Sequence, residues 1–295
     1  MSKIGNIRIG ISGWRYKPWR CTFYPEGLVQ RQELEFASRK LNSIEINGTF
    51  YSLQRPQSFA AWFDSTPADF QFSIKGTRFI THIRRLKDVE EPLANFFAQG
   101  LLRLGDKLGP ILWQFPPSFK FDAERMETFF ALLPQSREAA ADLGRKHGKY
   151  LNGRIWLEIE KNEKLHHVIE IRNESFVDEK FVALLRKYQI GLVKADTVEW
   201  PLLMDVTSDV IYCRLHGSEE LYASGYNDEA LDIWAKRVLV WSHGEEVEDG
   251  RKASAKHGPK RRARDVFVYF DNDVKIRAPY DAQKLQKLIN ERTQL

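Results

Sequence analysis

The chain has 295 residues, and 43% of them are hydrophobic, which is enough for one large domain with a sizeable core. It contains no run of about 20 apolar residues, so no transmembrane helix is expected, and its first residues lack the apolar stretch of a signal peptide. Two cysteines, Cys21 and Cys213, are too few for a disulfide framework and lack metal-ligand spacing, so we expect a protein of the reducing cytoplasm.

The net charge of +5 comes from one segment of the chain. Residues 251–264 contain seven Lys or Arg residues and no acid, and subtracting these seven charges leaves −2 for the remainder. An acidic stretch precedes them, so we predict that residues 244–264 form a charged, mobile loop between the seventh helix and the eighth strand. Such a loop is either solvated or an arm that binds a polyanion such as nucleic acid.

Short apolar runs alternate with longer amphipathic runs along the chain. The short runs predict strands at residues 7–13, 43–51, 70–76, 109–116, 167–173, 190–196, 210–217 and 265–272. The amphipathic runs predict helices at residues 31–41, 56–64, 92–107, 122–147, 178–188, 227–242 and 280–292. Residues 197–206 are too short for a helix, and residues 148–166 are longer than one crossover needs, which indicates an added hairpin or an elaborated loop.

Eight strands separated by helices indicate a parallel sheet. The simplest closed arrangement is a (β/α)₈ TIM barrel, which typically uses about 250 residues, and we predict that residues 1–295 form one such domain. A doubly wound open sheet is the alternative. No glycine-rich dinucleotide fingerprint follows the first strand, and this favours the barrel.

Polar residues alternate with apolar ones in several predicted strands. Because the apolar face must meet the helices, we expect the polar face to point into the barrel near the C-terminal strand ends, where barrel enzymes carry their chemistry. Buried charges must either pair with one another or bind a ligand, and a small positive surplus among them favours an anionic or polar ligand. The residues of this face are Glu45, Asn47, Lys75, Gln114, Glu170, Arg172, Lys194, Asp196, Arg214 and His216.

Aromatic residues crowd the loop after the first strand, with Trp14 and Tyr16 as the candidates for contact with a ligand. The alternative is that these rings plug the barrel end. In the stretch "YFDND" after the eighth strand, Asn272 is a further candidate for ligand binding, although a capping or turn role fits equally. Glu45, Glu170, Asp196, His216 and Asp273 could together hold a divalent metal, but no HxxE-like spacing is present, so we predict no metal or other cofactor.

Eight ordered motifs resemble those of the domain of unknown function 72 family, also called YecE-like, over residues 7–290. These motifs are "IGISGWRYKPWR", "IEINGTFYSL", "FQFSIKGTRFITHIRRLKD", "LGDKLGPILWQFPPSFK", "IEIRNESF", "KADT", "YCRLHG" and "VYFDND". The resemblance implies a TIM barrel and a family without an established reaction. The family often has Asn where Asp271 stands, so we assign no role to Asp271. The family's barrel is similar to those of xylose isomerases and endonuclease IV, but their metal cluster is not recognisable in this sequence.

Our leading hypothesis is an enzyme acting on a small polar or anionic substrate, as a hydrolase, lyase or isomerase. Glu170 or His216 would be the general acid or base, and Asp196 would orient the base or the substrate. The expected substrate-binding residues are Trp14, Tyr16, Glu45, Asn47, Lys75, Gln114, Arg172, Arg214 and Asn272. One alternative is a nucleic-acid-binding protein or a metal-assisted phosphodiesterase, and another is a non-catalytic ligand-binding protein. We expect no membrane partner, and the sequence leaves the oligomeric state open.

Overall fold

The structure, a computed structural model, describes residues 4–217, 225–272 and 276–293. Eight parallel strands form a closed barrel in which each strand pairs with its neighbours in the chain and β8 pairs with β1, which confirms the predicted TIM barrel. The strands are β1 (Ile7–Ser12), β2 (Ser43–Ile46), β3 (Gln71–Lys75), β4 (Leu108–Gln114), β5 (His167–Glu170), β6 (Gly191–Asp196), β7 (Val210–Leu215) and β8 (Asp265–Phe270).

Helices connect most of the strands and cover the outside of the barrel. None of the helices within the described residues is long and apolar enough to cross a membrane. The helices are α1 (Glu33–Ser38), α2 (Gly48–Tyr51), α3 (Pro56–Asp64), α4 (Glu90–Ala98), α5 (Ala123–Leu132), α6 (Arg137–Gly144), α7 (Glu179–Lys187), α8 (Asp228–Ser242) and α9 (Ala278–Thr293).

Three predicted elements end earlier than expected because local chemistry stops them. The predicted helix at 122–147 divides into α5 and α6, since Pro134 offers no N–H and Ser136 caps α6 by accepting a hydrogen bond from the Ala139 N–H. The predicted helix at 92–107 stops before Gly100, whose φ of 115° begins a 3₁₀ segment. The predicted strand at 43–51 ends at Ile46, and the chain turns into α2.

The apolar core has two parts. The larger part lies between the sheet and the helices. A smaller cluster fills part of the barrel interior, and its members are Leu112, Val168, Val193, Ala195, Val210, Tyr212, Phe267 and Tyr269. The rest of the interior is polar, because register places Ser12 beside Glu45 and Glu45 beside Ser73 on β1, β2 and β3. The polar face therefore points inward, as the strand alternation predicts.

The prediction for β6 is wrong. Register pairs Val193 with Tyr212 and Ala195 with Arg214, so the two small apolar residues of β6 face the interior and the polar ones face outward. The outward side chain of Lys194 donates to the carbonyls of Leu192 and Asp205 at 2.9 and 2.7 Å. The irregular segment after β6 provides the Asp205 carbonyl and β6 itself provides the Leu192 carbonyl, and these two acceptors make a buried lysine acceptable there.

The segment 244–264 lies between α8 and β8, as predicted, and it is docked on the protein. The Asp205 carboxylate accepts hydrogen bonds from the backbone N–H groups of Ala253 and Ser254 at 2.8 and 3.0 Å. The Arg264 side chain is buried and donates to the Glu245 carbonyl. Four cations of the segment 244–264 form ion pairs with acids of the chain, namely Arg251 with Glu174, Lys252 with Glu246, Lys256 with Glu179 and Arg261 with Asp209. Most of its positive charge is thus neutralised internally, and its mobility stays a prediction.

Close approach of β1 and β2 requires glycine at position 10. A Cβ atom there would lie 1.9 Å from the Ser43 carbonyl oxygen, which is backbone and cannot rotate away. We expect Gly10→Ala to lower the free energy of unfolding by about 1–3 kcal/mol through overpacking. Urea denaturation measures this, with Gly48→Ala as the control, because a Cβ at Gly48 would approach only the Gln54 side chain at 3.6 Å. Equal stability of the two variants would contradict the interpretation.

Candidate functional site

A buried arginine joins three carboxylates at the C-terminal end of the barrel interior. Arg214 of β7 donates from Nη1 to Glu170 Oε2 at 2.7 Å and from Nη2 to Asp271 Oδ2 at 2.6 Å. Its Nε and Nη2 lie 3.1 and 3.0 Å from the two carboxylate oxygens of Glu45. Arg214, Glu45 and Glu170 are almost completely inaccessible, whereas the Asp271 side chain keeps 13% of its exposure.

Two hydroxyl groups also donate hydrogen bonds to the Glu45 carboxylate. Ser12 donates to Glu45 Oε1 at 2.5 Å, and the Tyr212 hydroxyl donates to Glu45 Oε2 at 2.6 Å. Ser12 in turn accepts from Asn47 Nδ2 at 2.9 Å and from Arg214 Nη2 at 3.0 Å. Glu45 is therefore held by β1, β2 and β7 together.

Glu170 is held just as completely. Its Oε1 accepts from Gln114 Nε2 at 2.9 Å and from Arg172 Nε at 2.7 Å, while Oε2 accepts from Arg214. Burial alone would raise the pKa of Glu170, but the positive charges of Arg172 and Arg214 hold it well below its usual range. Glu170 stays ionised at neutral pH, so its geometry favours a positioning role over the general acid or base role that the sequence suggests.

The opposing effects of burial and of neighbouring charges also determine the protonation states of Arg214 and Asp271. Burial opposes the charge of Arg214, but Asp271, Glu45 and Glu170 raise its pKa well above the usual value. Burial also opposes the charge of Asp271, but Arg214 and His216 lower the pKa of its carboxyl below the usual range. This part of the site is a fixed charge network that does not titrate near neutral pH.

His216 lies directly after β7 and is completely buried. Its Nδ1 is 3.2 Å from Asp271 Oδ2, and its ring meets Trp200 edge-on with a centroid distance of 5.7 Å. Burial lowers the pKa of His216 more than Asp271 raises it, so the imidazole is neutral at neutral pH. His216 thus joins the network as predicted by strand alternation, and its role as general base stays a prediction.

Lys75, at the end of β3, differs from the other interior charges. It is 8% exposed, and its Nζ lies 4.5 Å from the centre of the Phe50 ring. Within the described residues Nζ makes neither a hydrogen bond nor an ion pair. Burial and the charge of Arg214 lower the pKa of Lys75 to about 8, although Glu45, Glu170 and Asp271 act in the opposite direction.

His82 contacts the same Phe50 ring edge-on, with a centroid distance of 5.1 Å. It belongs to a π-helical turn, Phe79–Ile83, a rare backbone form that is frequent at functional sites. Burial and the positive charges of Lys75, Arg172 and Arg78 lower the pKa of His82 to about 4. This shift indicates a positive local potential on the Lys75 side of the barrel mouth.

Trp200 stacks on Arg172, and the sequence analysis missed it. The Arg172 guanidinium carbon lies 3.8 Å from the centre of the Trp200 ring. A cleft of about 600 Å³ opens against both side chains, so Arg172 can be reached from the surface. Trp200 belongs to the irregular segment after β6, and the sequence offers no periodicity there that could place its side chain.

Among the described residues at the C-terminal end of the interior the charges balance, which corrects the predicted surplus. Lys194 and Asp196 face outward, and Asp271 faces inward, so the cations Lys75, Arg172 and Arg214 meet the anions Glu45, Glu170 and Asp271. A preference for anions must therefore come from the position of each charge. Glu45 and Glu170 are fully buried, whereas two cations, Lys75 and Arg172, and one anion, Asp271, keep exposed atoms at the mouth.

The predicted rim residues Trp14, Tyr16 and Asn47 line a separate cleft of about 330 Å³. Trp14 is only 6% exposed and packs edge-on against Trp62 at 5.6 Å, so part of its ring belongs to the core. The Tyr16 hydroxyl donates to the Ser12 carbonyl at 2.5 Å. The structure thus brings these three residues together on the rim, but Trp14 is buried too deeply to offer its whole ring to a ligand.

Two predicted site residues point away from the barrel interior. Asp196 accepts a hydrogen bond from Trp234 Nε1 of α8 at 3.0 Å, because the polar side chains of β6 point outward and not inward as predicted. Asn272 donates to Asp281 Oδ2 of α9 at 2.9 Å, since the alternation that turns Asp271 inward turns Asn272 outward. Asp273, the fifth candidate metal ligand, lies outside the described residues. Within the described residues, no group of three or more His, Cys, Asp or Glu side chains is arranged to hold a metal ion.

Removing Arg214 should destabilise the protein in a pH-dependent way. We expect Arg214→Met to lower the free energy of unfolding by about 3–5 kcal/mol at pH 8, because three buried carboxylates lose their shared cation. Without that cation the pKa values of Glu170 and Asp271 should rise above those of the unfolded chain, so the variant should gain stability as the pH falls from 8 to 5. Wild type has lowered pKa values for Glu170 and Asp271 and should instead lose stability as the pH falls below about 4.

Urea denaturation at pH 8 and pH 5 measures this difference. Arg137→Met is the matched control, because Arg137 is also buried but its partners Asp106 and Glu163 keep 77% and 32% of their side-chain exposure. The free energy of unfolding of Arg137→Met should fall by less, and the fall should be nearly the same at pH 8 and pH 5. A pH-independent loss in Arg214→Met would contradict the proposed charge network.

Removing Lys75 should stabilise the protein. The fall of its pKa from 10.5 to about 8 corresponds to a loss of about 3 kcal/mol in the free energy of unfolding of wild type. This loss is complete below pH 8 and disappears as the pH rises to 10.5. We therefore expect Lys75→Met to unfold at higher urea concentration than wild type at pH 7, with the difference shrinking above pH 8. Lys194→Met is the matched control: the pKa of Lys194 is also lowered to about 8, but its substitution removes two hydrogen bonds. A destabilised Lys75→Met variant would show that the lysine serves the fold.

Solved structures of two bacterial proteins share this architecture. A DUF72 family protein from Thermotoga maritima matches with a TM-score of 0.71 and 24% identity, covering 97% of this chain and 99% of that one. A DUF72 family protein from Enterococcus faecalis matches with a TM-score of 0.69 and 17% identity, covering 96% and 95%. At these identities the likeness shows the fold.

Sequence comparison finds relatives that also lack a named activity. UPF0759 protein YecE of Escherichia coli K12 is 29% identical over 254 residues, which are 80% of this chain and 82% of that protein. UPF0759 protein YunF of Bacillus subtilis is 28% identical over 125 residues, and this match spans 43% of that protein's length. The family model described as "Protein of unknown function DUF72" matches residues 8–295, and the chain therefore belongs to the DUF72 family.

Proposed function

We propose that the protein is an enzyme that acts on a small anionic substrate at the C-terminal mouth of the barrel, with Lys75 as the reactive side chain. One observation carries the proposal. Lys75 is more than nine-tenths buried, yet its ammonium group has no hydrogen-bond partner within the described residues. Nζ is not among the fully enclosed polar atoms that lack a partner, so it is open to solvent at the mouth, where an anionic ligand can replace water.

Other buried lysines of this chain show what a structural lysine looks like. Lys107 Nζ donates to the carbonyls of Phe63 and Thr66 at 2.6 and 2.9 Å. Lys194 Nζ donates to two carbonyls in the same manner. Lys75 is also buried, but within the described residues its Nζ has no hydrogen-bond acceptor. This difference separates Lys75 from the two lysines that serve the structure.

The charges around Lys75 favour an anion. The carboxylates of Glu45 and Glu170 are fully buried and already bound by Arg214 and other donors. The groups with exposed atoms on this side include the cations Lys75 and Arg172 and the anion Asp271, and the two cations add to the burial that lowers the pKa of His82. A carboxylate or phosphate entering here would meet positive potential first.

A lysine with a pKa of about 8 also suits proton transfer or nucleophilic attack. Both its charged and its neutral form are populated near neutral pH, as an acid, a base or an amine nucleophile requires. The Arg214 network holds β2, β5, β7 and the end of β8 in place around it. The proposal therefore assigns reactivity to Lys75, positive charge for the substrate to Arg172, and positioning to Glu45, Glu170 and Arg214.

Anion affinity should depend on pH through Lys75. We expect lactate, used as a small carboxylate probe, to bind wild type at pH 7 and to bind about tenfold more weakly at pH 9, because Lys75 loses its proton above about pH 8. Lys75→Arg keeps a cation at both pH values and should lose this dependence, while Lys75→Met should bind weakly at both. Isothermal titration calorimetry measures the affinities.

Lys194→Met is again the matched control, since Lys194 has the same lowered pKa but faces outward, and it should bind lactate as wild type does. Affinity that is unchanged between pH 7 and pH 9, or unchanged in Lys75→Met, would contradict the proposal. Binding that is lost equally in both methionine variants would indicate a general effect on the fold.

A further inference from the structure

We propose that Lys75 forms an imine with the carbonyl group of an anionic aldehyde or ketone, so that the reaction proceeds through a covalent enzyme–substrate intermediate. This inference rests on the function proposed above and adds the chemical class of the substrate. The geometry supports it because Lys75 ends β3 at the mouth of the barrel, and its Nζ lies over the Phe50 ring and is bound by no described acceptor. An amine without an acceptor keeps its lone pair available once it loses its proton.

The surroundings of Lys75 favour a reactive amine. The Phe50 ring covers one side of Nζ and limits access of water, and the residue as a whole is 8% exposed. Burial and the nearby guanidinium lower the pKa of Lys75 to about 8, so about a tenth of the side chain is neutral at pH 7. An exposed lysine with an ordinary pKa has less than about a thousandth of its amine in that form.

The step balances without any further reactant. The neutral amine attacks the carbonyl carbon, a C–N bond forms, and the carbonyl oxygen takes a proton to give a carbinolamine. Loss of that oxygen as water breaks the C–O bond and leaves a protonated imine. In sum, a protonated lysine and a carbonyl compound give a protonated imine and water, with no change in charge or oxidation state.

The charges that face Lys75 suit this intermediate. Three carboxylates favour a positive charge at Nζ, and one guanidinium opposes it. Because the protonated imine keeps the positive charge of the ammonium group, the carboxylates stabilise it without rearrangement. Arg172 adds positive charge for the anionic group of the substrate. The titratable groups that face Lys75 are Glu45 of β2, Glu170 of β5, Arg214 of β7, Asp271 after β8, and His82 of the π-helical turn.

Reductive trapping tests the inference on the full-length protein. Glyoxylate, the smallest anionic aldehyde of this kind, is incubated with the protein at pH 7 in the presence of sodium cyanoborohydride. The hydride reduces any imine to a stable carboxymethyl-lysine, which peptide mass spectrometry locates. We expect Lys75 to be modified at least about tenfold faster than the exposed Lys17, because its lowered pKa leaves about a tenth of its amine neutral at pH 7.

Matched lysines separate this inference from a general effect of a lowered pKa. Lys194 has the same lowered pKa but is 1% exposed and donates to two carbonyls, so it should remain unmodified. Lactate, which has no carbonyl group beside its carboxylate, should slow the modification of Lys75 by competition and leave Lys17 unaffected. Lys75→Arg should remove the fast modification, and its circular dichroism spectrum should match that of wild type.

The outcomes distinguish the two proposals. If lactate binds through Lys75 but glyoxylate leaves no trapped adduct on this residue, the imine is wrong and the anion-binding site stands. If lactate does not bind and no adduct forms, both proposals fail. Modification of Lys75 and Lys17 at equal rates also overturns the imine, because it would show that Lys75 has no special reactivity.

Discussion

The salt bridges of Arg214 are the constraint on which the rest of the site depends. One guanidinium contacts carboxylates from β2, β5 and the end of β8, so these strands are linked across the barrel as well as around it. Such a network is stable only when every charge keeps its partners, since removal of one partner leaves uncompensated charge in a region of low dielectric constant. The donors from Ser12 and Tyr212 to Glu45 complete it. The interior of this barrel is therefore fixed by electrostatics where most barrels use branched apolar side chains.

This network explains why Lys75 has no hydrogen-bond partner in the part of the chain that the structure describes. The two carboxylates that its position would favour, Glu45 and Glu170, have already accepted hydrogen bonds from Arg214 and from neutral donors. Their negative charge still acts on Lys75 through space, but it does not overcome burial and the repulsion from Arg214. A residue that lowers stability in this way is typical of functional sites, where activity is retained at the expense of the fold. The stable network and the unsatisfied lysine are thus two parts of one arrangement.

The sequence was sufficient for the architecture and for most of the interior face. Strict alternation in β2, β3, β5 and β7 placed Glu45, Lys75, Glu170 and Arg214 correctly, because helices or other apolar layers cover the opposite face of those strands. The rule failed at β6, where one carbonyl of the following irregular segment and one of β6 itself accept from Lys194, so that the lysine faces outward and two small apolar residues face inward. It was not applied to the residues after β8, and Asp271 was missed for that reason. Trp200 could not be found at all, since its position depends on contacts with Arg172 and His216, which are distant in sequence.

The protonation states around the mouth narrow the chemistry further. Glu170 and Asp271 have lowered pKa values and stay negative, while Arg214 stays positive. His216 and His82 have lowered pKa values and stay neutral, so neither gains a proton near pH 7. Lys75, whose pKa is lowered to about 8, exists in both its charged and its neutral form near neutral pH. Environments that push neighbouring pKa values apart are the usual means by which a protein assigns acid and base roles. In this barrel the carboxylates and histidines supply a field of constant charge, and the amine of Lys75 is the group within it that can change.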